Sequence, residues 1–86
     1  MQYTIGVKKK ALKKLYLNEK TADVLKLTLA TYMADYLGKE IETQARDYLI
    51  LTLSKRGITV TEIADLIGLN KSTVSRIISS NKSLLK

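Results

Sequence analysis

Apolar residues in this 86-residue chain recur every three to four positions, the spacing of one face of an α-helix. In residues 7–17, Val7, Ala11 and Leu15, joined by Leu12 and Tyr16, line one side, and lysines fill the other. That pattern predicts an amphipathic basic helix. Ahead of it Tyr3 and Ile5 alternate, so residues 1–5 read as a short strand or a frayed end. A second helix is predicted from about Thr21, an N-capping residue type, to Leu37. Asp23 stands in its first turn, where negative charge is favoured. Its apolar residues lie all round: Val24, Leu25, Leu27, Leu29, Tyr32, Met33, Tyr36 and Leu37. A helix apolar on most sides must be covered on most sides. In so short a chain there is little to cover it. Val24, Leu25, Leu29, Tyr32, Met33 and Tyr36 are therefore expected at a subunit interface, with a central helix wrapped by the others as the equal alternative. A third helix is predicted over about Glu40–Lys55, with a stripe of Ile41, Ala45, Tyr48, Leu49, Thr52 and Leu53 widened by Ile50 and Leu51. Gly38 and Gly57 follow helix-like runs and are expected to cap them.

The last third of the chain is the most informative. Thr59 and Glu62 have capping-box spacing, which sets the start of a short helix over Val60–Ile67. Gly68 breaks it, at a turn that needs positive φ. Asn70 is suited to cap a further helix over about Lys71–Ser79. Val60, Ile63 and Ile67 face inward from the first of these helices, and Val74, Ile77 and Ile78 from the second, with Leu69 plugging the turn. Ala64 is small where the helices come closest. The series Ala64, Gly68, Val74, Ile77 is the spacing of a helix-turn-helix. The expected fold is all-α, a small domain of about five helices with a C-terminal helix-turn-helix and no evident wing.

The string Gly68-Leu69-Asn70-Lys71-Ser72-Thr73-Val74-Ser75-Arg76-Ile77-Ile78 resembles the turn and recognition helix of lactose-repressor-type regulators. MarR-type regulators, and some resolvases and transposases, are similar over the same string. The resemblance covers about a quarter of the chain, and residues 1–56 resemble no family. It also has limits. Lactose-repressor-type proteins carry the motif at the N-terminus, before a hinge and a sugar-binding domain. MarR-type proteins follow it with a β-hairpin wing, whereas only Asn81–Lys86 follow here. Neither the sugar-binding pocket nor the wing carries over. What the resemblance implies is that Lys71, Ser72, Ser75 and Arg76 meet base edges, where Lys and Arg donate to guanine and Ser to any base. Thr61, Asn70, Thr73 and Lys82 would reach phosphates, and Lys55 and Arg56 would cap a helix end or reach phosphates.

Composition and charge sharpen this reading. Fifteen Lys and Arg oppose eight Asp and Glu, for a net charge of +7. Residues 1–20 carry +5, residues 21–53 carry −2, and residues 54–86 carry +4. Basic ends thus flank an apolar middle, as suits a protein whose ends face a polyanion. No acid occurs from Leu69 to Lys86. With no His or Cys, imidazole acid–base chemistry, Ser-His-Asp triads and thiolate metal sites are excluded. No enzyme activity, metal or cofactor is expected. The chain reads as a single domain: a basic segment over 1–20, an apolar helical and dimerising region over 21–56, and a DNA-binding unit over 57–86. The expected function is sequence-specific binding of double-stranded DNA by a small homodimeric transcriptional regulator. Alternatives are a plasmid partition, replication or architectural protein, or an adaptor that docks on a partner such as RNA polymerase. No signal or membrane segment is read, and a cytoplasmic location is expected.

Overall fold

A computed structural model describes residues 6–36 and 38–81, and among them it contains five α-helices and no strand. These are α1 (Lys9–Leu17), α2 (Ala22–Tyr32), α3 (Thr43–Lys55), α4 (Val60–Ile67) and α5 (Lys71–Ser80). The all-α expectation holds. The strand or frayed end expected over residues 1–5 lies outside the described residues, as do Leu37 and Lys82.

Helix α1 packs on α2 and α4, α2 on α3, and α3 on both α4 and α5, which also pack on each other. One buried cluster joins all five helices, from Leu12 and Leu15 of α1 to Val74 of α5. The corner between α1 and α2 is set by hydrogen bonds. Asn18 Oδ1 accepts from the Lys20 N–H at 2.9 Å. The Thr21 hydroxyl is fully buried and donates to the Leu15 carbonyl at 3.0 Å. Thr21 therefore occupies the N-cap position of α2 without capping it, and instead gives a second hydrogen bond to the Leu15 carbonyl, which also accepts from the Asn18 N–H.

Helix α2 ends at Tyr32, earlier than the apolar pattern predicts. Met33 takes the left-handed conformation at φ 57°, and the N–H groups of Met33 and Ala34 both bond to the Leu29 carbonyl. The chain then turns at Asp35 and carries Tyr36 back onto α1, where it stacks on Tyr16 with ring centroids 4.6 Å apart. Tyr36 thus meets its apolar demand from a loop rather than from a longer helix. Gly38 does not cap α2, because the helix has already closed five residues upstream.

The interface expectation needs correction. Val24, Leu25 and Leu29 are 1%, 0% and 6% exposed and belong to this chain's own core. Covered by α1 and α3, they have no surface left for a second subunit. Tyr36 is half-buried against Tyr16. Tyr32 and Met33 remain exposed, Met33 at 88%.

Helix α3 begins at Thr43, not Glu40, because Ile41 is used in an isolated antiparallel bridge with Val7. Its buried face is Ala45, Arg46, Leu49, Ile50 and Leu53, while Tyr48 of the expected stripe is exposed. Buried Arg46 donates from Nε and Nη2 to Asp47 Oδ1 at 3.1 and 2.9 Å. The bridge at Val7 also fixes Gly6. A Cβ at Gly6 would run into the Ile41 carbonyl oxygen. Gly6→Ala is accordingly expected to lower unfolding free energy by about 1–3 kcal/mol, the usual range for overpacking, measurable by urea denaturation.

Candidate nucleic-acid interface

Two turns build the site. Gly57, at φ 87°, closes α3, and the Ile58 N–H reaches back to the Leu53 carbonyl at 3.2 Å. Thr59 Oγ1 then accepts from the Glu62 N–H at 3.2 Å, which caps α4 as its spacing predicts. At the other end Gly68 sits at φ 86°, where a side chain is strained. The Gly68 and Leu69 N–H groups both bond to the Ala64 carbonyl, at 2.8 and 3.0 Å. This closes α4 within one residue and starts α5 at Lys71. Ala64 is buried, and Leu69 packs half-buried against the core.

Helix α5 is anchored by Val74, its one fully buried side chain, with Ile77 and Ile78 packed at its flanks. The rest of the helix faces outward. Lys71, Ser72, Ser75 and Arg76, the four residues expected at base edges, are all exposed on this one helix. Among the described residues neither Lys71 nor Arg76 has an ion-pair partner. Asn70 holds the N-cap position of α5 but makes no side-chain cap bond, so its amide faces solvent. The Asn81 amide closes the C-terminus by donating to the Ile77 carbonyl at 2.9 Å.

The residues expected at phosphates divide. Thr61 is exposed in the first turn of α4, and Thr73 is half-buried on α5. Lys55 is exposed in the last turn of α3. Arg56 is engaged elsewhere: its Nη1 and Nη2 donate to Asp23 Oδ1 and Oδ2 at 3.1 and 2.8 Å. That fork straps the end of α3 to the start of α2, and a phosphate would have to displace the carboxylate. Lys82 lies outside the described residues.

Two features here had little signal in the sequence. Helix α1 lies against the turn, so that a Cβ at Gly68 would meet the Ala11 Cβ at 3.7 Å. Lys14 Nζ also pairs with Asp65 Oδ2 at 2.8 Å, across fifty-one positions. The only sign in the chain is Ala11 itself, a small residue amid lysines, where a close approach fits.

With this geometry in view, the comparison with known families is specific. Residues 42–83 match the homeodomain-like domain. The match begins at the residue before α3 and runs through α4 and α5, the three helices that pack on one another. It supports a helix-turn-helix unit of DNA-binding type, and not the particular repressor families that the turn string resembles. No curated protein and no solved structure matches the chain. No helix among the described residues is long and apolar enough to cross a membrane.

The Arg56 fork holds the Asp23 carboxyl below its ordinary range through hydrogen bonding and charge, and raises the Arg56 guanidinium in turn. A carboxyl whose folded pKa is depressed stabilises the fold above its unfolded pKa of about 3.9, and loses that contribution as pH falls through the folded value. Asp23→Asn is expected to be less stable than the parent near neutral pH. The gap between their melting temperatures should close as the solution is acidified below that range.

Proposed function

We propose that the protein is a sequence-specific double-stranded DNA-binding protein, a small transcriptional regulator that lays α5 in the major groove. One observation carries this reading. The outward face of α5 offers Lys71, Ser72, Ser75 and Arg76 from a stretch with no acid, on a helix held by a match to a DNA-binding helix-turn-helix domain. A groove-reading helix needs short donors and long cations free of internal partners. In this reading Lys71, Ser72, Ser75 and Arg76 contact base edges. Thr61, Asn70, Thr73 and Lys55 contact phosphates.

One recognition helix reads too few base pairs to single out a site in a genome, so two copies on half-sites about one helical turn apart are the arrangement that fits. For the contact between copies we propose the exposed end of α2, where Tyr32 and Met33 stand out beside Tyr48 of α3. Helix α2 is not among the helices that pack closely on α5. A dimer formed there leaves both reading helices free.

Selection of the full chain against random double-stranded DNA is expected to enrich an inverted repeat with half-sites about ten base pairs apart. On the enriched duplex Arg76→Ala should weaken binding by about 1–3 kcal/mol, and by less on unrelated DNA. An equal loss on both would assign Arg76 to a phosphate. No enrichment, with retention that vanishes as salt rises, would overturn the sequence-specific reading.

A further inference from the structure

We propose that the first turn of α1 forms a second contact with the DNA backbone, beside the stretch read by α5; this rests on the DNA-binding reading above. Two anchors set the course of α1. Ala11 lies against the turn at Gly68, and Lys14 pairs with Asp65, three residues earlier in α4. Helix α1 therefore runs antiparallel to α4, with its N-terminal end on the side of the Gly68 turn. The Val7–Ile41 bridge pins that end to the entry of α3, so it is part of the folded body.

Lysines populate this end. Lys8 is the extended residue just before α1, and Lys10 stands four before Lys14, one helical turn nearer that end on the side that borders α4. Both are exposed, and neither has an ion-pair partner among the described residues. The first acid in the chain is Glu19, beyond the end of α1. The Lys14–Asp65 pair adds to the effect by neutralising the negative charge on the last turn of α4. Lysines of α1 thereby border the turn that leads into Lys71. Backbone phosphates next to a groove occupied by α5 are the partner that matches this surface. Flexible ammonium groups suit them, because Lys binds phosphate as a point charge.

The opposite face of α1 supplies the control. Lys9 and Lys13 are also exposed, but helical spacing turns them away from Ala11 and α4. The experiment compares the full chain with Lys8→Gln/Lys10→Gln and with Lys9→Gln/Lys13→Gln, two variants of equal net charge. Binding to a duplex of about 30 base pairs of random sequence is followed by fluorescence anisotropy as salt is raised. Loss of two phosphate contacts should flatten the slope of log K against log salt by about 1.8 in the first variant. The second variant should keep the parental slope. Equal slopes in the two variants, whether both parental or both flattened, would overturn the α1 contact while leaving the DNA-binding reading in place. Failure of the parent chain to bind the duplex at low salt would overturn that reading, and the α1 contact with it.

Discussion

The corner between α4 and α5 rests on one backbone conformation. Gly68 at φ 86° lets two successive N–H groups converge on the Ala64 carbonyl, which ends α4 abruptly and redirects the chain. A side chain there would be strained by its φ, and its Cβ would lie in van der Waals contact with Ala11 of α1. Three helices therefore depend on the same small space. If the turn opened, α5 would lose its aim, and the lysine helix would lose its seat beside it. Ala11 and Gly68 are small for complementary reasons: one clears the approach, and the other makes the bend.

The remaining helices keep that corner rigid. Helix α5 supplies only Val74 as a fully buried anchor, so most of its positioning comes from α3 and α4 behind it. Helix α3 in turn is braced by Leu49, Ile50 and Leu53 in the common core and is strapped to α2 through Arg56 and Asp23. At about 64% side-chain exposure for Asp23, that strap is modest by itself, and salt screens it. Burial of apolar groups in the shared cluster is the stronger bond between the N-terminal helices and the DNA-binding unit.

Much of this was legible along the chain because local chemistry and the tertiary fold agree. Thr59 caps α4 as its spacing with Glu62 requires, Gly57 and Gly68 both take positive φ, and Val74 is buried while Lys71, Ser72, Ser75 and Arg76 are not. The end of α2 was not legible, since Met33 takes a left-handed conformation that residue type does not advertise, at roughly 1–2 kcal/mol of intrinsic cost. Apolar residues on every side of α2 also admitted two explanations. The structure assigns Val24, Leu25 and Leu29 to internal packing, because α1 and α3 cover α2 from two sides. The pairing of Lys14 with Asp65 could not be read at all, since it depends on the packing of helices far apart in sequence. Similarly, the role of α3 behind α5 shows only once the helices are assembled.

Six of the ten residues of α5 point to solvent, and a single one is wholly enclosed. Exchanges at such outward positions usually alter stability very little. The outward face of α5 is thus open to change without touching the residue that anchors it. Under the proposed reading, exchanges at Lys71, Ser72, Ser75 and Arg76 would change the DNA target, while Val74, Ala64 and Gly68 would still hold the helix in place.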